Sequence, residues 1–582
     1  FGINVNQGKS VTIASSDINK NTDAGARLSA CNKSKMTELT VNANGKSGII
    51  IKNSKNGTFT NITVTDNKEY GLNFNEVAGA NKLSGITAAG NANSGFIFTN
   101  SQGITMDTAC SSMQNGAHGI YINDSKVSIN GVDVNSNYWC GVSATGSAAR
   151  LNVNGGTFLA NGTRPDQYED DDNLCAGIGV YDGATAKIVE ASCNKNHGCG
   201  ITAAGSEDGS LVSSISVYGC TANENGDHGI GARPYGKINV TKSNNNVENV
   251  ICNNKYTGFI LNDHCSADFI EYCTINENGK AGISISENSS VNQISHNTIM
   301  GNKEDGIHVS EGSRTLIASC EINRNAQSGI GIYSNSIVDN IDTCNINENE
   351  HYGICVDAGD VAKIANSTIV KNIWAGVIAR NKSKVDSISG ITSQNNETYG
   401  LYVSNGSVVN VVSSNFNQNT KDGIRVTDKN TVVTVKKSKC NNNTDNGVAA
   451  VSGAEVNING TAVSNNSGYG IYVAKAANTK TIENLTISGN GSDGIRITGD
   501  GTKVTLISNV NVTNNGKCGL VLTANAILAE MKACTFEKNQ KHGVAVYKGT
   551  TSDNVSDLTS CENGSYQIYV EEGAITCLER LK

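Results

Sequence analysis

Four carboxylates stand side by side at Glu169, Asp170, Asp171 and Asp172, within the segment Thr163-Arg-Pro-Asp-Gln-Tyr-Glu-Asp-Asp-Asp172. A second set of titratable side chains follows at Asp227, His228, Arg233, Tyr235 and Lys237. Carboxylates held about 5–10 Å apart do acid/base work on a glycosidic bond. That chemistry makes Asp170, Asp172, Asp227 and His228 catalytic candidates, with Arg233 and Lys237 as cationic partners. A carboxylate cluster also holds Ca²⁺ through oxygen ligands, so Glu169, Asp170, Asp171 and Asp172 are a candidate calcium site bridging an acidic polysaccharide. Arg164, Tyr168 and Tyr235 are candidate ligand contacts. The plain alternative is a solvated acidic loop. His118, His228 and His542 each stand directly before a glycine, with His197 nearby, and a turn position open to any polar residue explains them without catalysis.

The elements that must position these residues come from a repeat. Twenty-one times an asparagine stands four residues before a glycine, at intervals of about 24 residues, from Asn44–Gly48 to Asn539–Gly543. A further copy keeps Asn563 but carries Gln567 in place of glycine. The most regular members are Asn278, Asn302, Asn325, Asn349, Asn372 and Asn396, with Gly282, Gly306, Gly329, Gly353, Gly376 and Gly400. Each copy continues as a short alternation such as Gly282-Ile283-Ser284-Ile285, which predicts a half-buried strand with the two isoleucines inward. No segment sustains the helical spacing of apolar residues. Repeats of this length mean a solenoid, a propeller or an array, and a four-stranded propeller blade does not fit into 24 residues.

An asparagine inside each turn would donate to and accept from its counterparts one coil away, satisfying backbone groups that the tube would otherwise bury unpaired. The glycine is expected where a Cβ would obstruct the backbone or the next coil. On these residues the chain resembles the right-handed parallel β-helices of the pectin-lyase-like superfamily, over roughly residues 40–570. The resemblance implies an all-β fold, a single right-handed parallel β-helix of about 22 coils with an Asn ladder. It implies no one activity, because that superfamily holds lyases, hydrolases, epimerases, adhesins and tailspikes. The Asn-Thr-Asp of polygalacturonase-like enzymes has a match at Asn21-Thr22-Asp23, but this lies far from His228-Gly229 and no Arg-Ile-Lys follows. The Trp-Ile-Asp-His of pectate lyases and the Asp-Pro-His-Glu of alginate epimerases are absent too, so the resemblance carries over no catalytic residue.

Two prolines in 582 residues suit a chain of paired strands, since proline removes a ladder donor. A net charge of −8 argues against nucleic acid or an anionic membrane as partner. The longest apolar runs are too short for a membrane-spanning helix. No cofactor is expected apart from the possible calcium. The start at Phe1 is what a secreted, processed product would show, so an extracellular or cell-surface location is expected. Of 18 cysteines, Cys110, Cys220, Cys273, Cys320, Cys344 and Cys534 all lie nine residues before a repeat glycine. This constant phase predicts a stacked column of small core residues, with disulfides between neighbours such as Cys320 and Cys344 as second choice. Cys140, Cys199, Cys355 and Cys518 fall at turn or outward positions and are candidates for exposed thiols or intermolecular bridges. No zinc-type spacing occurs.

Residues 1–43 are expected to form an N-terminal cap, with a short helix over 21–30. Residues 44–569 should form the β-helix, and 570–582 a C-terminal cap. Loop insertions are expected near 162–173, 204–210 and 232–246, walling a groove. From Gly258 to Gly543 the twelve intervals are all 23–25 residues long without insertion. An enzyme needs only a few coils, whereas a shaft uses many. The expected function is therefore a secreted or cell-surface structural solenoid, acting as shaft, filament or sheath subunit, or adhesin, partnered by its own copies or a surface glycan. The alternative is a polysaccharide lyase, glycoside hydrolase or epimerase acting on an acidic glycan at the loop-walled groove.

Overall fold

A computed structural model describes residues 1–163 and 175–579. The chain divides into two compact units, Phe1–Lys303 and Glu304–Lys582. Both consist of strands wound as parallel coils, and no α-helix occurs among the described residues. In the second unit a coil runs through the strands Ile330–Tyr333, Ile337–Asp342 and Asn345–Asn347. Each strand pairs in parallel with its counterpart one coil on, as in Ile330↔Ile354, Val338↔Val361 and Ile346↔Ile369. Ile330, Ile332, Val338, Ile341 and Ile346 all point inward and are fully buried. β-Branched side chains fit such a pleated, close-stacked interior. The first unit repeats the plan with Ile120–Asn123, Lys126–Asn130 and Asp133–Asn135. Near its start, phenylalanines fill the interior, with the Phe59 and Phe74 rings 5.2 Å apart and edge-on.

The Asn side chains form the expected ladder. In the second unit Asn325 donates from both its backbone N–H and its Nδ2 to Asn349 Oδ1, each at 3.0 Å. Asn349 repeats this to Asn372 at 3.1 and 3.0 Å, and its Nδ2 also donates to the Ile322 carbonyl at 3.2 Å. The pattern runs unchanged to Asn563. In the first unit it runs from Asn21 to Asn302. The residue before every rung adopts a left-handed backbone, as at Glu277, Glu348 and Lys538, and it is glycine only at Gly90, Gly301 and Gly489. Left-handed residues other than glycine are strained, and the buried amide bonds hold them there. The repeat glycine answers to closeness rather than to backbone angle. A Cβ on Gly353 would sit 2.6 Å from the Gly376 carbonyl oxygen and 3.0 Å from Asn372 Nδ2.

Several expectations change. Asn21–Gly25 is the first rung, so residues 1–43 carry full coil strands, Ile3–Asn6, Thr12–Asp17, Ala26–Ser29 and Lys35–Asn42, where a cap and a helix were expected. At the other end Ile568–Val570 and Ile575–Glu579 pair with the preceding coil. The insertion near 204–210 is found, whereas Arg233-Pro-Tyr-Gly is a tight turn between Ile230–Arg233 and Lys237–Thr241. The extra length of that coil falls in 242–248, before Asn249–Cys252. The segment 162–173 lies almost wholly outside the described residues. The six in-phase cysteines are all buried, in a column shared with Ser367, Ile391, Ser414, Thr461 and Leu485. Cys140, Cys199, Cys355 and Cys518 are also buried, which removes them as candidates for exposed thiols. Cys355 lies beneath Tyr352, Ala375 and Ile378.

The ladder makes a quantitative demand. Asn349→Ala removes a fully buried amide and orphans its neighbours' polar groups, for a loss of about 2–4 kcal/mol. Asn410→Ala, whose amide is exposed, should cost under about 0.5 kcal/mol. Urea denaturation of both variants checks the difference, and equal losses would refute the ladder's role.

Candidate functional site

The strand that follows each repeat glycine turns one residue outward, and these residues form a row in register from coil to coil. In the first unit the row reads Ile97, Tyr121, Ser143, Gly179, Thr202 and Gly231. Large side chains give way to small ones after Tyr121, which leaves a concavity. A cavity of about 1030 Å³ occupies this face. Tyr70, Tyr121, Trp139 and Tyr181 supply its rings, and Ser94, Ser143 and Thr145 its hydroxyls. Tyr181 lies across Gly179, where a Cβ would come within 2.6 Å of the ring. The inserted loop 205–210 forms the far wall with Glu207 and Asp208.

His118 is the group of most interest on this face. It is 5 % exposed, stacks on Tyr121 with centroids 5.3 Å apart, and meets Trp139 edge-on at 5.1 Å. Burial pushes its pKa down to about 3, so the ring is neutral. Its Nδ1 has no hydrogen-bond partner among the described residues, although a buried polar atom ordinarily has one. Two carboxylates of the groove, Asp208 and Asp182, are engaged. Asp208 accepts from Ser206 Oγ at 2.6 Å and from Ser210 N–H and Oγ at 3.0 and 2.7 Å, and these bonds hold its pKa down to about 2. Asp182 accepts from Thr145 Oγ1 at 2.7 Å.

The residues singled out from sequence fall in different places. Arg164, Tyr168, Glu169, Asp170, Asp171 and Asp172 lie outside the described residues. Asp227, His228 and Arg233 do come together. Asp227 takes an ion pair from Arg233 on one oxygen and faces His228 Nε2 with the other at 3.2 Å. His228 Nδ1 accepts the Thr257 backbone N–H at 3.1 Å, so its proton sits on Nε2 and is donated to Asp227. Burial pushes His228 down to about 4, against the opposing pull of Asp227. The three residues satisfy one another and none lines the groove. Lys237 pairs instead with Asp268 at 2.7 Å, and Tyr235 stacks on His264 at 5.3 Å. Among the described residues no cluster of His, Cys, Asp and Glu is arranged to hold a metal.

His228 also shows what the position before the repeat glycine does. The backbone N–H at that position on the next coil needs an acceptor. Asp305, Asp422 and Asp493 supply one to Ser328, Asn446 and Cys518 at 2.9, 3.0 and 2.9 Å, and His542 serves Tyr566 at 3.2 Å. Arg425 and Arg496 balance Asp422 and Asp493 from three residues on, and His308 Nδ1 stands 2.9 Å from Asp305 at the same spacing. Sequence reasoning missed this pattern, although Asp-Gly-Ile-Arg/His is legible at 305, 422 and 493. It also missed the ring cluster around His118, because those rings come from different phases of successive coils.

The family described as "Right handed beta helix region" matches residues 1–158, 236–396, 339–463 and 399–559. The chain belongs to that family. As a right-handed β-helix it has the architecture that the resemblance to the pectin-lyase-like superfamily implied. Among solved structures it is similar to the periplasmic alginate epimerase AlgG, at 13% identity over 54% of this chain and 72% of that one, with a TM-score of 0.36. It is also similar to the A-module of Azotobacter vinelandii mannuronan C-5 epimerase AlgE6, at 12% identity over 78% and 90% of the two chains, with a TM-score of 0.24. Pectate lyase Pel9A matches at 14% identity over 45% and 70%, with a TM-score of 0.23. No curated protein matches the chain. No helix among the described residues is long and apolar enough to cross a membrane.

His118 and His228, whose pKa values are lowered in the folded chain, predict a pH dependence. Both stay neutral when folded, while an unfolded histidine gains its proton near pH 6.5. As pH falls below about 6.5, the unfolded chain binds protons that the folded β-helix does not. Stability then drops by about 1.4 kcal/mol per pH unit for each histidine, down to about pH 4 for His228 and about 3 for His118. Denaturant midpoints between pH 6.5 and 4.5 should fall accordingly, and His118→Phe should flatten that slope. An unchanged slope would contradict the assigned state of His118.

Proposed function

We propose that this β-helix is an adhesive, carbohydrate-binding element of the cell surface or extracellular space, and that the groove of its first unit holds an uncharged glycan. The observation that carries the reading is the lining of the groove, where the rings of Tyr70, Tyr121, Trp139 and Tyr181 stand with the hydroxyls of Ser94, Ser143 and Thr145 around about 1030 Å³. Sugar rings present apolar C–H faces and hydroxyl edges. Aromatic faces take the first, and the hydroxyls of Ser94, Ser143 and Thr145 take the second. Asp182, Glu207 and Asp208 put negative charge on the groove, which disfavours a carboxylated chain.

A polysaccharide lyase, hydrolase or epimerase is the competing reading. General acid–base work requires a group whose pKa lies near the working pH. Asp208 is held far below neutral pH as an anion and His118 far below it as a neutral ring, so neither is poised to exchange a proton there. The regular coils of the second unit fit display and length better than chemistry, which also keeps self-association within the reading.

Affinity electrophoresis through gels containing neutral glucans, mannans or galactans tests the proposal. At least one should retard the protein, and Trp139→Ala should weaken that binding tenfold or more, equivalent to about 1.4 kcal/mol. Retardation by none of them, or retardation unchanged in Trp139→Ala, would refute it. Appearance of new reducing ends or unsaturated sugars would favour the enzyme reading instead.

A further inference from the structure

Two of the six in-phase cysteines, Cys320 and Cys344, stand on successive coils of the second unit. The strand pairing beside them runs Glu321↔Asn345, Ile322↔Ile346 and Asn323↔Asn347, which sets Cys320 against Cys344 in register. The Asn345 backbone N–H donates to the Cys320 carbonyl at 2.9 Å and ties the two corners together. No other two cysteines among the described residues are in register on successive coils. Cys273 pairs with Asn249, Cys440 with Val463, and Cys355 with Gly331 and Ile378.

The local backbone aims the two thiols alike. Ser319 and Thr343, directly before them, are left-handed, with φ of 52° and 55°. Each sulfur then donates to the carbonyl two residues back, Cys320 Sγ to Ala318 at 3.3 Å and Cys344 Sγ to Asp342 at 3.4 Å. The side chains therefore leave matching backbones in the same direction, one coil apart. Neighbouring strands lie about 4.8 Å apart, inside the range of roughly 4.4–6.8 Å between Cα atoms that a disulfide spans. The two sulfurs also share a hydrogen bond, which draws the Cys344 thiol below its ordinary pKa.

We propose that Cys320 and Cys344 are a covalent modification site, joined as a disulfide that staples successive coils when the chain folds in the presence of a small disulfide as oxidant. One cysteine attacks the oxidant as a thiolate and releases half of it as a thiol. The thiolate of the other then attacks the mixed disulfide and releases the second half. The protein gives up two hydrogens, and the oxidant is reduced to two thiols. Cys320 is 1 % exposed and Cys344 fully buried, so the exchange precedes closure of the coils over them. The bond closes a ring of one coil and leaves the unfolded chain fewer states. It does not depend on the function proposed for the first unit.

The intact chain, made by cell-free synthesis in glutathione disulfide or in excess thiol, tests this. Each sample is alkylated in denaturant and digested for mass spectrometry. The glutathione disulfide sample should yield a linked peptide pair joining Cys320 to Cys344, lighter by two hydrogens and separated by reductant. Its urea midpoint should exceed that of the thiol sample by about 0.5–1 M. Serine is the native residue at this phase one coil on, where Ser367 Oγ accepts the Cys344 backbone N–H at 3.1 Å, so Cys344→Ser fits the corner. That variant should lose both the linked pair and the shift, whereas Cys440→Ala should keep both. A wild type without the linked pair, Cys344 linked to another cysteine, or a linked pair with no rise in midpoint would each overturn the proposal.

Discussion

The hydrogen-bonded column of asparagine amides is the constraint on which everything else in this protein rests. Each rung turns the chain sharply inside the tube, in a backbone state that residues such as Glu348 or Lys538 adopt only under strain. Its amide uses both its donor and its acceptor on neighbouring coils, as Asn349 does with Asn325, Asn372 and the Ile322 carbonyl. Left unmade, those bonds would expose buried polar groups to an apolar interior, at a cost of roughly 1–3 kcal/mol each. The repeat glycine is a consequence of that column, since the next coil's amide lies where its Cβ would be.

A column that fixes register also fixes what the outer face can become. Residues of the same phase stand beside one another, so surface features are built from columns rather than from local motifs. Where a column thins, as from Tyr121 to Ser143 and Gly179, the face sinks into a groove. Where two columns lean together, as at Tyr352, Trp374 and Tyr399, rings gather. The position before the repeat glycine must also serve the next coil's N–H, and for that reason aspartate and histidine recur there. His228 and His542 perform this service, which accounts for a histidine at that position without catalysis. His118 occupies the same position with its Nδ1 unengaged, and this difference draws attention to it.

The fold was largely legible, because an Asn–Gly spacing repeated every 24 or so residues admits few structures. The first rung at Asn21 escaped notice because Thr-Asp-Ala before Gly25 read as a helix start, and tertiary stacking overrode that local preference. Burial of Cys355 and Ile378 was illegible for a different reason. An outward position is exposed only if its neighbours stay back, and Tyr352, Tyr399 and Tyr402 fold over it from adjacent coils. Of the candidate partners, Asp227, His228 and Arg233 come together while Tyr235 and Lys237 pair elsewhere, and sequence cannot say that the first three groups satisfy one another. The groove around His118 had no sequence signature beyond a histidine before a glycine.

The proposed working surface is the outward face of the strands that follow the repeat glycines, with stacking and hydrogen bonding in place of proton transfer. Hydrogen–deuterium exchange of the intact chain with a bound neutral oligosaccharide tests this most directly. Added protection should be confined to the peptides carrying His118, Tyr121, Trp139 and Ser143, with the oligosaccharide recovered intact. Protection centred on Asp227 and Arg233, or recovery of a cleaved or epimerised sugar, would contradict it.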